Sequence, residues 1–292
     1  MARPGDPLRL DVIGHRGARA LYPENTLEGF KATAALGVEA FELDVGMTVD
    51  GMVVVHHDPA LNPDITRDAS GAWLEQPAPL IWSLPWAELA GYDVGRIRPG
   101  SDTGRRFPDQ RPHDGAQVPT LAAVLAALPD ATFVIEVKTD PTHPDRTAPA
   151  AVLADAVLAV VDRAGAAARV VVAAFDWRVQ RHVRRIRPEI RLAWLTRPET
   201  ARERALWWDG VHPAGGRASV PAFVAAAGGA IWAPDHTDLT EALVREAHAF
   251  GLSVLAWTVN RPEDMRRLLG WQVDGLISDR PDLALAVADP RQ

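Results

Sequence analysis

The feature that most limits the possible folds of this chain is a regular alternation of apolar runs with helical patterns. Short runs rich in Val, Ile, Leu and Ala recur near residues 12, 43, 135, 172, 193, 232, 256 and 277. A pattern with helical periodicity follows each run, which is typical of parallel strands that are covered by helices. Eight such units predict an α/β fold of the (β/α)₈ TIM-barrel type.

A doubly wound open sheet is the alternative fold. Such a sheet is expected to carry a glycine-rich phosphate loop after its first strand, and Gly14-His15-Arg16-Gly17 lacks that spacing. The chain has 292 residues, which suits one large barrel or two ordinary domains, and 47% of them are hydrophobic. We therefore expect a single barrel domain over residues 1–292 with a sizeable core.

One segment interrupts the alternation. Over about residues 59–118, Pro, Gly, Asp and Arg are frequent, no sustained period is visible, and several aromatic residues are scattered. This segment follows the second strand and precedes its helix, so we predict an insertion after the second strand that packs over one end of the barrel. An overhanging insertion is expected to influence substrate choice.

The stretch Phe41-Glu42-Leu43-Asp44-Val45 alternates between apolar and acidic residues. In a strand, this pattern places Glu42 and Asp44 on one face. Buried carboxylates need a cation beside them, which could be Lys, Arg or a metal ion, and hard divalent ions prefer oxygen ligands. An isolated Glu-x-Asp pattern would more often indicate an exposed edge strand with a polar face, so its neighbours decide the interpretation.

Polar residues gather at the ends of the first three strands, and a histidine follows the hairpin beside the second. They are His15, Arg16, Glu42, Asp44, His57, Glu136 and Lys138. Because barrel enzymes place their active sites at the carboxyl ends of the strands, we expect these side chains to converge. Without a metal ion and an anion beside them, the mutual repulsion and the desolvation of these charged side chains would destabilise the fold by roughly several kcal/mol.

Charge suggests how these residues divide their roles. We assign Glu42, Asp44 and Glu136 to one divalent ion, and the absence of cysteine favours Mg²⁺ or Ca²⁺ over Zn²⁺. Arg16 and Lys138 then face an anion, for which a phosphate suits the planar guanidinium.

The two histidines remain for acid–base work. His15 and His57 could act as general acid and general base near neutral pH, so the set predicts metal-assisted phosphodiester cleavage. A structural role remains open for Lys138, which could merely pair with Glu136. His56 precedes His57 on the opposite strand face, and we expect it to be structural.

Short motifs occur along nearly the whole chain in a characteristic order. They are His15-Arg16-Gly17, Pro23-Glu24-Asn25-Thr26, Glu42-x-Asp44, His57-Asp58-Pro59, Glu136-x-Lys138, Trp257-Thr258-Val259-Asn260 and Asp274-Gly275-x-x-x-Asp279-x-Pro281. This set resembles the glycerophosphodiester phosphodiesterase family. The resemblance implies a TIM-barrel enzyme that cuts glycerophosphodiesters into glycerol 3-phosphate and an alcohol.

The resemblance also implies roles for individual residues. It implies that Mg²⁺ or Ca²⁺ is held by Glu42, Asp44 and Glu136, that His15 and His57 are the general acid and base, and that Arg16 contacts phosphate. We further expect Lys138 and Trp257 to bind phosphate or substrate.

The start of the insertion departs from the family pattern. Where the family often has Leu-x-Arg-Thr after the His-Asp pair, this chain follows Leu61 with Asn62-Pro63-Asp64-Ile65-Thr66-Arg67. This difference concerns the preference for the leaving group more than the core chemistry.

Two other functions are considered. A lipid phosphodiesterase of the lysophospholipase D or sphingomyelinase D type would share the phosphate machinery, and the tryptophans of the insertion could supply its apolar surface. A non-catalytic barrel that binds a phospho-ligand is the other alternative. The presence of both His15 and His57 at the expected places argues against this non-catalytic role.

Composition limits the partners. The net charge is -7 and no long basic run occurs, so we expect no nucleic-acid partner. No apolar run approaches the ~18 residues of a spanning helix, and residues 1–10 contain no apolar signal region, so we expect no stable membrane insertion. The sequence predicts a cytoplasmic enzyme of lipid and glycerol metabolism, a monomer or homodimer with a small-molecule substrate.

Overall fold

The computed structural model describes residues 10–213 and 219–288. In this part of the chain, eight parallel strands form a closed barrel, and a short strand, β3, pairs antiparallel with the end of β2. The strands are β1 Val12–His15, β2 Ala40–Met47, β3 Val53–Val55, β4 Thr132–Val137, β5 Val170–Ala174, β6 Arg191–Thr196, β7 Ile231–Pro234, β8 Ser253–Ala256 and β9 Gly275–Ser278.

Helices follow the strands and cover the barrel on the outside. They are α1 Leu27–Ala34, α2 Trp86–Leu89, α3 Asp102–Arg106, α4 Leu121–Ala127, α5 Ala150–Arg163, α6 Arg178–Ile186, α7 Pro198–Arg202, α8 Arg204–Trp207, α9 Val220–Ala226, α10 Glu241–Ala249, α11 Pro262–Gly270 and α12 Pro281–Ala288. Short 3₁₀ segments occur at Ile81–Ser83, Ala167–Arg169 and His236–Asp238. The predicted (β/α)₈ barrel is confirmed.

The barrel closes between its first and last strands. The strands follow each other around the barrel in the order β1, β2, β4, β5, β6, β7, β8 and β9, and β1 pairs in parallel with both β2 and β9. The three strands that carry the predicted site, β1, β2 and β4, are therefore neighbours. In the register of the first pair His15 lies opposite Glu42, and in the second Asp44 lies opposite Glu136.

Alternation along β2 separates the outer core from the barrel interior. Phe41, Leu43 and Val45 are buried in the large core that also contains the apolar faces of the helices. Ala40 belongs to a second, smaller core inside the barrel, which leaves Glu42 and the following acidic residue above it at the carboxyl end of the strands. The strand pattern that the sequence predicts is thus the one that orients the acidic residues.

The segment 59–118 has structure of its own. It contains α2, α3 and one 3₁₀ turn, and it encloses a small core. The buried apolar residues of this core are Val54 from β3 and, from the segment itself, Leu61, Ile81, Leu84, Leu89, Val94 and Val118. Arg67 crosslinks the segment by ion pairs with Asp93 and Asp114, at 2.5 and 2.6 Å. That residues 1–292 form one domain stays a prediction.

In the described part of the chain, no helix combines the length and the apolar character that a membrane crossing requires.

Candidate active site

Three carboxylates meet at the carboxyl ends of β2 and β4. Glu42, Asp44 and Glu136 each offer an oxygen, and these oxygens lie within 4.8 Å of one another. All three residues are buried, with exposed fractions of 5%, 0% and 8%. The structure therefore brings together the three acidic residues that the sequence predicts as metal ligands.

The cluster lacks enough positive charge for three ionised carboxylates. Burial and the charges of Asp44 and Glu136 raise the pKa of Glu42 well above its ordinary value. Burial likewise raises the pKa of Glu136, although Lys138 counteracts it. Burial opposes ionisation of Asp44 as well, but nearby His57 and two basic side chains hold its pKa below the ordinary range.

An oxygen without a hydrogen-bond partner also indicates that the cluster lacks a cation. Asp44 Oδ1 is buried without a hydrogen-bond partner among the described residues, and its nearest cation is Lys138 Nζ at 3.5 Å. The other oxygen of Asp44 accepts a hydrogen bond from Asn25 Nδ2 at 3.0 Å, which fixes the orientation of the carboxylate. Three converging carboxylate oxygens, with Asp44 Oδ1 left without a hydrogen bond, fit a hard divalent ion.

His15 ends β1 and is oriented by a residue from the last strand. Its Nδ1 lies 2.5 Å from Oδ1 of Asp279, the residue after β9, and Asn260 Nδ2 donates to the other oxygen of Asp279 at 2.7 Å. His15 Nε2 lies 3.7 Å from Glu42 Oε2. Burial lowers the pKa of His15 despite the nearby Asp279 charge. The pKa of Asp279 is lowered to about 2 because interaction with His15 outweighs its burial.

His57 follows β3 and has a carboxylate partner of its own. Its Nδ1 lies 2.7 Å from Oδ1 of Asp58, whose Oδ2 accepts a hydrogen bond from Asn62 Nδ2 at 3.0 Å. Burial and the charges of Arg16 and Lys138 lower the pKa of His57 to about 4. Asn62, at the start of the stretch that departs from the family pattern, thus supports Asp58.

Arg16 is held by several acidic groups. Its backbone has φ 52°, in the left-handed region, and its amide donates to Glu42 Oε2 at 3.1 Å. Its Nη1 donates to Glu24 Oε1 at 2.7 Å, and its Nε lies 3.3 Å from Asp44 Oδ2. Arg19 binds the second oxygen of Glu24 at 2.8 Å. The guanidinium thus lies beside the carboxylate cluster on the edge of the pocket.

Lys138 follows β4 and contacts two of the three carboxylates. Its Nζ lies 2.6 Å from Glu136 Oε1 and 3.5 Å from Asp44 Oδ1. Burial would lower the pKa of Lys138, but these two carboxylates raise it overall. The ammonium group is therefore charged, and it lines the same pocket as Arg16.

The pocket above the carboxylates has a volume of about 420 Å³. The side that carries the carboxylates is formed at the ends of β1, β2 and β4. The far side is formed by β6 and by segments that follow β5, β6 and β8, and its apolar residues are Phe175, Leu195, Trp207 and Trp257. Ile277 on β9 also lines the pocket. Trp257 lies where the sequence predicts a substrate contact, and its Nε1 donates to Ala233 O at 2.8 Å.

Among the described residues, the tryptophans of the insertion are not part of the lining of this pocket. Trp73 lies under the guanidinium of Arg67, Trp82 packs against the large core, and Trp86 packs against the core of the insertion. The insertion contributes Pro59 and Arg106 to the pocket.

Several residues of the site escaped the sequence analysis. Asp58, Asp279, Asn260 and Glu24 lie within the quoted motifs, which is the signal that could have identified them as partners of the histidines and arginine. Other pocket residues lie outside every motif, and nothing in the sequence marks them. They are Arg19, Arg106, Phe175, Leu195, Arg197 and Trp207.

Residues 15–283 match the family model described as the glycerophosphoryl diester phosphodiesterase family. The chain belongs to this family. A probable glycerophosphodiester phosphodiesterase 2 of Mycobacterium tuberculosis is 30% identical over 289 residues, which cover 93% of this chain and 88% of that protein. A glycerophosphodiester phosphodiesterase of Bacillus subtilis is 28% identical over 282 residues, covering 95% and 86%. The predicted family and enzyme class, a phosphoric diester hydrolase, are confirmed.

Solved structures agree with the barrel fold. The crystal structure of a putative glycerophosphoryl diester phosphodiesterase from Silicibacter pomeroyi is 40% identical with a TM-score of 0.85, covering 96% of this chain and 93% of that one. An Oleispira antarctica phosphodiesterase, solved in complex with sn-glycerol-3-phosphate, shares the fold at 21% identity and a TM-score of 0.70, with 96% of each chain covered.

Proposed function

We propose that this protein hydrolyses glycerophosphodiesters to glycerol 3-phosphate and an alcohol. In this proposal one Mg²⁺ or Ca²⁺ ion is held by Glu42, Asp44 and Glu136, and His15 and His57 act as general acid and base. The observation that carries it is the cluster of three buried carboxylates within 4.8 Å, beside two histidines that each have a carboxylate partner. Family membership supplies the class of substrate.

A bound divalent ion would polarise a phosphoryl oxygen and balance the negative charge that develops in the transition state. Neutralising the carboxylates would also release Lys138, which pairs with Glu136 at 2.6 Å, to bind the phosphate. Arg16 already lies on the pocket edge and can donate from its guanidinium to the same group. Asn25 keeps Asp44 in its orientation throughout.

The histidines can exchange protons at their Nε2 atoms. Nδ1 of His15 binds Asp279 and Nδ1 of His57 binds Asp58, so Nε2 is the ring nitrogen that remains for the substrate in each case. The glycerol hydroxyl next to the phosphate attacks phosphorus and gives its proton to one histidine. The other histidine protonates the departing alcohol as its P–O bond breaks, and water then opens the cyclic glycerol phosphate. Intramolecular attack can be worth about 7–11 kcal/mol.

The far side of the pocket favours a second candidate. Its apolar residues, from Phe175 after β5 to Trp257 after β8, could accommodate the acyl chain of a lysophospholipid. A lipid phosphodiesterase of the lysophospholipase D or sphingomyelinase D type would use the same carboxylates and histidines.

The rates at which the two possible phosphate-containing products form distinguish these functions. Protein treated with EDTA and then given Mg²⁺ or Ca²⁺ should form glycerol 3-phosphate from a panel of glycerophosphodiesters, faster than it forms lysophosphatidic acid from lysophosphatidylcholine. The reverse preference would favour the lipid phosphodiesterase. Binding of glycerol 3-phosphate without turnover of any substrate would contradict both and indicate a phospho-ligand-binding barrel.

A further inference from the structure

The far side of the pocket carries a cation that the proposed chemistry does not use. Arg197 follows β6, and its guanidinium carbon lies 5.1 Å from the centre of the Phe175 ring. The Phe175 ring in turn makes an edge contact with Trp257, with 5.5 Å between the ring centres. Stacking on an aromatic face leaves the N–H groups at the edge of a guanidinium available for an anion.

Arg197 has little competition for those N–H groups. Its ion-pair partner among the described residues is Glu199, and the distance from Nε to Oε2 is 3.8 Å, beyond a hydrogen bond. The other oxygen of Glu199 binds Arg202 at 3.0 Å. The side chain of Arg197 is 45% exposed, so a ligand in the pocket can reach it.

Three aromatic rings in one pocket could instead suggest a cage for a quaternary ammonium group. In this pocket Arg197 already covers Phe175, so a second cation would meet like charge. Asp140, the carboxylate that lines the pocket outside the cluster on β2 and β4, already has hydrogen-bond partners. It accepts hydrogen bonds from the backbone and hydroxyl of Thr142, and its second oxygen lies 3.1 Å from His143 Nδ1.

The proposed reaction decides which part of the substrate reaches Arg197. The glycerol hydroxyl must lie beside the histidines and carboxylates on β1, β2 and β4, because it attacks phosphorus there. The departing alcohol then extends toward the strands on the other side of the pocket, where Arg197 follows β6. Arg106, from the insertion, brings another cation to the same pocket.

We propose that Arg197 is a specificity residue that binds an anionic group, a carboxylate or a second phosphoryl group, on the departing alcohol. The inference rests on the proposed phosphodiesterase function and narrows its substrate class. Glycerophosphodiesters with an anionic alcohol are preferred over those with a neutral or cationic alcohol of similar size.

A matched set of substrates tests this preference. Four glycerophosphodiesters are compared, whose alcohols are 4-hydroxybutanoate, glycerol 3-phosphate, the neutral 3,3-dimethylbutanol and choline. With the native protein, kcat/KM for at least one anionic substrate should exceed that for the neutral one by about 10-fold or more. In Arg197→Gln this ratio should fall to within about 2-fold, mostly through KM, and Arg197→Lys should restore part of it.

Arg202→Gln is the matched control, because Arg202 ends the helix that Arg197 precedes and pairs with the same Glu199. In Arg202→Gln, the ratio of kcat/KM for the anionic substrates to kcat/KM for the neutral substrate should equal that of the native protein. Equal kcat/KM for anionic and neutral substrates, or an unchanged ratio in Arg197→Gln, would overturn the inference and leave the phosphodiesterase function intact. Failure of the native protein to cleave any of the four substrates would contradict the phosphodiesterase function itself.

Discussion

His15 Nδ1 lies 2.5 Å from Asp279 Oδ1, across the line where the last strand of the barrel meets the first. Asp279 is itself fixed by Asn260, whose amide donates to Oδ2 at 2.7 Å and whose carbonyl oxygen accepts from the Asp279 backbone at 2.9 Å. With its proton on Nδ1, His15 presents Nε2 to the pocket, where Glu42 lies 3.7 Å away. Barrel closure therefore sets the orientation and tautomer of a catalytic candidate.

Replacing Asp279 by Asn should impair catalysis more than folding. The amide can still fill the space beside His15, but it no longer stabilises the charged imidazole or favours one tautomer. We expect kcat/KM to fall by about 100-fold or more, with a smaller change in KM. Steady-state kinetics over a pH series measure this effect, together with thermal unfolding.

Asp274→Asn is a matched control for that variant. Asp274 precedes β9, and its Oδ2 lies 3.0 Å from His248 Nε2, so it forms the same kind of pair outside the pocket. Its replacement should lower stability without changing kcat/KM by more than about 2-fold. Equal losses of activity in the two variants would show that the pair with His15 has only a structural role.

The leaving group should separate the roles of His15 and His57. In the variant that lacks the general acid, cleavage of an alkyl diester should be slow, and a nitrophenyl diester should restore most of the rate because nitrophenolate departs unprotonated. The variant that lacks the base should remain slow on both substrates. The comparison uses His15→Asn and His57→Asn, with His113→Asn, an exposed histidine of the insertion, as control. Equal recovery of both histidine variants would contradict the division into acid and base.

Most of the barrel and the central residues of the site could be predicted from the sequence. Continuous apolar strands separated by helices determine the number of units, and alternation at Phe41–Val45 determines which side chains face inward. Thr26 is another residue with a local effect, since its side chain caps α1 by accepting a hydrogen bond from the Gly29 amide at 3.0 Å. Local patterns are reliable here because each one acts within a single element.

The partners of the site residues could not be predicted in the same way. His15 and Asp279 are 264 positions apart, and only barrel closure places them in contact. Arg16, which binds Glu24, has a left-handed backbone conformation that no periodicity reveals. The far side of the pocket, including Arg197, comes from loops whose conformation depends on tertiary packing.

The neighbouring hydroxyl of the glycerol should be essential for turnover. A substrate analogue without that hydroxyl keeps the phosphate and the alcohol but cannot form a cyclic phosphate. We expect its kcat to be lower by about 1,000-fold or more, since effective molarity is lost. Quantification of the released alcohol by mass spectrometry measures the rate. Cleavage at the rate of the parent substrate would indicate direct attack by water.

Glu42→Gln should stabilise the metal-free protein at neutral pH. Burial and two neighbouring carboxylates raise the pKa of Glu42 above 4.5, so its contribution to stability is fully present below that pH and is lost as the pH rises through the folded-state pKa. Each unit of the raised pKa corresponds to about 1.4 kcal/mol of unfolding free energy. Because Gln carries no charge, the variant does not lose this unfolding free energy as the pH rises.

Urea unfolding in EDTA at pH 4.5 and pH 8 tests the effect. The variant should match the native protein at pH 4.5 and exceed it at pH 8. Glu203→Gln, an exposed position, should change stability by less than about 0.5 kcal/mol at either pH. A Glu42→Gln protein that is no more stable than the native one at pH 8 would show that the cluster is not strained by its charge.

Calorimetric titration of Mg²⁺ and Ca²⁺ into the metal-free protein tests the central claim most directly. Glu42, Asp44 and Glu136 are proposed as the ligands of one ion, and each offers an oxygen within 4.8 Å of the others. We predict one binding site in the native protein and at least about 10-fold weaker binding in Glu42→Gln, Asp44→Asn and Glu136→Gln, each of which still unfolds cooperatively. Unchanged affinity in all three variants would contradict the assignment.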